Sequence, residues 1–200
     1  MDQFFQYARE IEERIGLRSG YLNELLREDD WSFVIKLHAY FETCLTHAIC
    51  AVLGRTELEE VIGRLDTSNN QSGKLAFARQ LEILNKPERR FVATLSQLRN
   101  DLVHDASAVD FTFDSYMTQM TEDKRYQFCE ALSLDEILEP LSDAGEVRII
   151  SWVDAAPKVG IGFAAFLVIS QLYVRSLEGD LSRELTDLGK YLVDRKMAER

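Results

Sequence analysis

Proline is nearly missing from this chain, at 3 of 200 residues, and glycine is sparse at 10. The residues that punctuate turns stand at about half their usual share, which argues against collagen-like repeats, a disordered chain and a turn-rich all-β protein. Cysteine is limited to Cys44, Cys50 and Cys129, an odd number with no Cys-x-x-Cys spacing. Apolar neighbours such as Leu45 and Phe128 mark them as reduced core thiols in a cytosolic protein. Basic residues are in deficit, 23 against 34 acidic, for a net charge of −11 and a pI near 4.8. Non-specific duplex binding over the whole surface is thereby excluded, and contact with nucleic acid needs a local basic patch. The longest apolar run, 159–169, stops at Ser170 and Gln171. That is short of the roughly 20 residues that span a bilayer, so a buried helix and no membrane contact are expected. The opening residues Met1, Asp2, Gln3, Phe4 and Phe5 lack the basic and apolar regions of a signal peptide, which predicts a cytoplasmic location. There is no Gly-x-Ser-x-Gly elbow, and Gly160-Ile161-Gly162 has no third glycine in phase for a dinucleotide site. Close helix packing explains those two glycines.

What the chain has is helical patterning, with 46% hydrophobic and 28% charged residues, enough for one packed all-α domain. Phe4, Phe5, Ile11, Ile15, Leu22, Leu25 and Leu26 predict a helical hairpin over 2–29, broken near Gly16 and Gly20. Residues 31–53 carry Phe33, Ile35, Leu37, Phe41, Leu45, Ile49 and Val52 with few gaps, and Gly54 follows. This predicts a central helix closed by a C′ glycine. Shorter helices are expected at 57–65, 74–84 and 122–132, with a polar loop at 66–73. Pro87 opens a helix to His104 whose stripe is Phe91, Leu95, Leu98 and Leu102. The residues around Phe111 and Phe113 read as loop, and Ser133 with Glu136 as a capping box opening a short helix that Pro140 ends. Segment 146–153 is either a short strand or an apolar linker. Pro157 then begins a long apolar helix to about Leu177, and a charged tail runs to Arg200. No repeat and no long linker divides the chain, so residues 1–200 are expected to form a single domain.

The sharpest local pattern is Arg99-Asn100-Asp101-Leu102-Val103-His104-Asp105, at the end of a predicted helix. On that helix Asn100 and His104 share a face, while Arg99 lies about 140° round from His104. Histidine titrates near neutral pH and suits moving a proton from a ribose 2′-OH or to a leaving oxygen. Arginine forks onto phosphate oxygens. The same residues serve equally as caps of the last helical carbonyls, paired with Asp101 or Asp105. Between residues 73 and 104 six basic residues (Lys74, Arg79, Lys86, Arg89, Arg90, Arg99) face three acidic ones (Glu82, Glu88, Asp101), a local +3. That excess suits a phosphate-binding cleft, and a solvated helix face explains Arg89 and Arg90 as well. His38 and Glu42 lie four apart on one helix face with His47 five further on, without the His-Glu-x-x-His arrangement of a metal site. A buried His38 hydrogen-bonded to Glu42 is expected there, and no metal or other cofactor.

Together with the helix Lys36-Leu37-His38-Ala39-Tyr40-Phe41-Glu42-Thr43-Cys44-Leu45, the Arg99-Asn100-x-x-x-His104 pattern resembles the HEPN superfamily of helical-bundle domains. Those domains carry an Arg-x(4–6)-His motif, commonly with a polar residue after the arginine, and an acidic residue in an earlier core helix. The resemblance covers about 31–105. It implies an all-α HEPN-like bundle with additional C-terminal helices at about 146–200, working as a metal-independent endoribonuclease, a toxin or a defence or stress enzyme. On that resemblance Arg99 and His104 are catalytic, Asn100 orients the phosphate or the histidine, and Glu42 is the supporting acidic residue. Lys74, Arg79, Arg89 and Arg90 would meet RNA. It also implies a homodimer whose two motifs face one cleft, and an antitoxin or regulatory protein as partner. Asp105-Ala106-Ser107 leaves no tyrosine two residues after His104, so control by self-adenylylation of such a tyrosine is not expected. The order of parts from Gly73-Lys74 through the Pro-initiated helix to His104-Asp105 and Phe111-Thr112-Phe113 also resembles the mannitol operon repressor family. That resemblance implies a non-catalytic regulatory protein acting through protein contacts.

Overall fold

A computed structural model describes residues 9–69, 71–135 and 149–198, with only the backbone of residues 106 and 107. The described residues form an all-α bundle without strands: α1 (9–14), α2 (Tyr21–Leu25), α3 (Asp30–Leu53), α4 (Glu59–Gly63), α5 (Lys74–Gln80), α6 (Lys86–His104), α7 (Phe113–Thr118), α8 (Glu122–Ser133), α9 (Ile149–Ala155) and α10 (Pro157–Ala198). The positions Phe4, Phe5 and the stretch from Glu136 to Pro140 fall outside the described residues.

The central helix α3 begins where the Asp29 carboxylate accepts from the Ser32 amide at 2.8 Å, bonding that holds the Asp29 carboxyl below its ordinary value. It ends at Gly54, whose φ of 65° is the left-handed turn that a glycine takes at least cost. Its partner α6 starts on a capping box: Asn85 accepts from the Glu88 amide and Glu88 reaches back to the Asn85 amide. All four stripe residues of α6, Phe91, Leu95, Leu98 and Leu102, are buried. Phe41 packs on Phe91 and His38 meets Ser96, so α6 runs antiparallel to α3. On another side Lys158 pairs with Asp30 at 2.7 Å, while Gly179 lies against Ala51, so α10 runs parallel to α3.

Three expectations are corrected. The stretch from Ile149 is helix and not strand or linker; the Asp135 carboxylate accepts from the Ile149 and Ile150 amides, at 2.7 and 3.1 Å, and so satisfies its first turn. The helix from Pro157 does not stop near Leu177 but continues for 42 residues, so the charged tail is helical to Ala198. Phe113 begins a helical turn rather than sitting in a loop, since Thr112 caps it by accepting from the Ser115 amide. Further, α5 ends at Gln80, short of residue 84, and Glu82 turns left-handed at φ 54°. By length and composition α10 is apolar enough to cross a membrane, with its apolar window 67% buried against the bundle. The glycines within that window do serve packing: a methyl on Gly160 would stand 2.5 Å from the Val153 amide nitrogen. All three cysteines are free and buried, and burial pushes the Cys129 thiol up to about 11.

Candidate functional site

The Arg99 motif occupies the last turn and a half of α6, at the end of the bundle where α3 begins. His104 is the final helical residue and is exposed, and its side chain forms no hydrogen bond or ion pair with any described residue. Arg99 is half-buried, and its Nη1 donates to the Asn100 Oδ1 at 3.0 Å. Asp101 instead accepts from Gln97 Nε2 at 2.7 Å. The pairing of Arg99 with Asp101 that capping would call for is thus not what forms among the described residues, and the guanidinium keeps donors for an anion.

Beneath Arg99 a polar cluster joins α3, α5, α6 and the loop before α5. His38 is buried, with its Nε2 3.1 Å from the Ser96 hydroxyl oxygen. Ser96 gives its own proton to the Val92 carbonyl at 2.8 Å, so its oxygen accepts and the His38 Nε2 carries the hydrogen. The bare Nδ1 then faces Glu42 Oε2 at 3.8 Å, beyond hydrogen-bond reach. The expected hydrogen bond from His38 to Glu42 is therefore replaced by one to Ser96. Burial lowers the His38 pKa; Glu42 opposes that shift, and the charges of Arg99 and Lys74 reinforce it. Glu42 itself is held elsewhere, accepting from the Thr67 hydroxyl at 2.7 Å and from Lys74 Nζ at 3.5 Å.

The loop that delivers Thr67 closes on Gly73. A methyl there would stand 2.3 Å from the Asp66 carbonyl, and the Lys74 and Leu75 amides donate to Asp66 and Thr67 carbonyls. A side chain at position 73 would push the loop off, so glycine is required for space rather than for conformation. Neither Ser96 nor Thr67 stands out in the sequence. The only signal is that Ser96 lies three residues before Arg99, on a neighbouring part of the α6 face.

The basic residues divide. Lys74 is 1% exposed and also donates to the Gly63 carbonyl at 3.0 Å. Arg89 donates to the Leu84 carbonyl, and Arg90 turns to α8, where it lies 3.6 Å from the Glu130 carboxylate. Arg79 is exposed. The local +3 therefore does not form one continuous basic face. On the other side of Glu42 lies an open groove of about 670 Å³, lined by Arg14, Thr43, His47, Glu59 and Lys74 among others. There His47 Nδ1 stands 3.4 Å from Glu59, while its Nε2 is shut off from solvent with no partner among the described residues. The groove holds ion-paired side chains, and no described group of three or more His, Cys, Asp or Glu side chains is placed to hold a metal. The chain matches no family model, no curated protein and no solved structure.

Proposed function

We propose that this protein is a metal-independent endoribonuclease of the HEPN type, acting in the cytoplasm as a toxin or as a defence or stress enzyme. The observation that supports it best is the pairing of an exposed, unengaged His104 with an Arg99 that no described carboxylate neutralises. In the proposed reaction His104 takes the proton of a ribose 2′-OH, and the 2′ oxygen attacks the adjacent phosphorus. The bond to the 5′ oxygen breaks, and that oxygen recovers a proton from the imidazolium through water. Arg99 holds the phosphate oxygens as charge builds on them, and Asn100 orients the guanidinium. Glu42 supports the site from below through Thr67 and Lys74. Of Lys74, Arg79, Arg89 and Arg90, Arg79 is the one left exposed to meet the RNA chain. A homodimer and an antitoxin or regulatory partner belong to the same proposal.

The test is cleavage of a mixed set of labelled RNAs in chelator by wild type, His104→Ala and Arg99→Ala protein of equal stability. Wild-type cleavage leaving 2′,3′-cyclic phosphate ends, with both variants silent, is the expected result. No cleavage, or equal cleavage by all three, favours a non-catalytic regulatory protein resembling the mannitol operon repressor family. The observation on that side is the use of Lys74, Arg89 and Arg90 in internal bonds on a chain of net charge −11, which leaves little cationic surface for RNA.

A further inference from the structure

Glu12 is buried, at 1% exposed, and no described lysine, arginine or histidine forms an ion pair with it. Its oxygens accept from the Gly20 amide at 2.6 Å and the Leu22 amide at 3.0 Å, so each oxygen keeps a second lone pair. Those amides are neutral donors. The Tyr40 phenol beside it is neutral as well: burial, and after it the nearby Cys44 and Glu12, pushes that phenol up. Of the two cations on α1, Arg14 pairs with Asp180 and Arg9 stands exposed. A carboxylate is almost never this deeply buried without a cation, because burial removes the water that would otherwise balance its charge.

A pocket reaches Glu12 between α1, α2 and α10. Its volume is about 180 Å³, and Arg9, Glu12, Leu22, Leu26, Phe163 and Phe166 are among the residues that line it. Arg9 is exposed and Phe163 is 38% exposed, which puts both at the mouth, whereas Leu22 and Phe166 are buried wall. The space is well under the roughly 300–1,000 Å³ of sites for drug-sized molecules, so it admits one small group. Two leucines and two phenyl rings favour an apolar group, and the ring faces attract a cation besides. An apolar wall around an uncompensated carboxylate thus asks for a ligand that is apolar in its body and positive at one end.

We propose that this pocket binds a small apolar ammonium compound, with its ammonium on the Glu12 carboxylate and its branched or aromatic body between the leucines and the phenylalanines. The ligand then supplies the countercharge that the fold leaves out. Two sources share this chemistry: a simple amine, or an amino acid whose carboxylate turns outward to Arg9. None of Arg99, Asn100 and His104 lines the pocket, so the inference stands independently of the ribonuclease proposal.

The experiment is calorimetric titration of the full chain with phenethylamine, isoamylamine, phenylalanine and leucine, beside phenylpropionate, which has the apolar body without the ammonium. Ammonium-bearing probes are expected to bind and to raise the unfolding midpoint, and phenylpropionate to do neither. Glu12→Gln keeps the volume and one acceptor, and is expected to weaken binding about ten- to a hundredfold, as loss of a bond to a charged group implies. Glu12 also holds the Gly20 and Leu22 amides, so a second variant, Phe163→Ser, changes the mouth without touching them and is expected to weaken binding severalfold. Arg9→Gln separates the sources: it weakens the amino acids alone where their carboxylate meets Arg9, and binding by the amines alone marks a simple amine as the ligand. Phenylpropionate binding as tightly as phenethylamine, or affinities unchanged in both the Glu12 and Phe163 variants, would overturn the proposal. So would the absence of both heat and a midpoint rise with every probe at millimolar concentration.

Discussion

Three glycines on the single helix α10 separate what helix propensity asks for from what packing permits. In a helix interior Gly→Ala is worth about 0.8–1 kcal/mol of added stability, so propensity alone makes Gly160→Ala, Gly179→Ala and Gly189→Ala all favourable. The surroundings differ. A methyl on Gly179 would stand 2.5 Å from both the Ala51 carbonyl carbon and its oxygen, and one on Gly160 would stand 2.5 Å from the Val153 amide nitrogen. Both obstacles are backbone, which cannot rotate away as a side chain does. Relief requires shifting α10 off α3 or α9, which forfeits dispersion contacts along the crossing; such overpacking costs about 1–3 kcal/mol. Set against the propensity gain, Gly179→Ala and Gly160→Ala are each expected to lose up to about 2 kcal/mol net, a fall of up to about 4–8 °C in the unfolding midpoint for a domain of this size. Gly189 meets nothing within 4 Å, and its alanine variant is expected to match wild type or gain up to about 1 kcal/mol. Urea and thermal unfolding by circular dichroism measure all three. A Gly179→Ala protein more stable than its parent would refute the close crossing of α3 and α10.

The His38 pKa is lowered in the folded state from 6.5, so the unfolded chain takes up a proton first as pH falls. Stability from this site is complete above about pH 6.5 and is lost as pH drops below it toward the folded-state value; the slope difference between wild type and His38→Gln isolates it. Burial raises the Glu88 carboxyl, which acts in the opposite sense, lending stability that is lost as pH rises through its folded-state value, and it is common to both proteins. Lys74→Met removes the bond to the Gly63 carbonyl while filling the space, and is expected to cost about 1–3 kcal/mol in urea unfolding. An unchanged midpoint would mean that this buried ammonium contributes nothing net. Asn85→Ala breaks one half of the capping box of α6 and should cost about 1 kcal/mol, with Asn85→Ser close to wild type in the same assay.

Local patterning was enough for the all-α class, for α3 with its Gly54 stop and for the buried stripe of α6, because 3.6-residue periodicity and end signals act within a few residues of chain. It was enough also to place Arg99, Asn100 and His104 together at one helix end. The helical state of Ile149 to Ala155 was beyond its reach, since a short apolar run has no decisive period and Asp135, 14 residues earlier, is what satisfies its first amides. The continuation of α10 past Leu177 is hidden for a related reason: an exposed, charged stretch has the composition of a solvated tail whether or not it is helical. Only the folded chain decided which cations stay available. Gly63 and Glu130 take up Lys74 and Arg90 from further along the chain, Arg89 turns back on the nearby Leu84 carbonyl, and Ser96 accepts the hydrogen bond of His38 that Glu42 was expected to receive. Periodicity records which face of a helix is buried, whereas the partner of a buried polar atom is set by which elements cross above it.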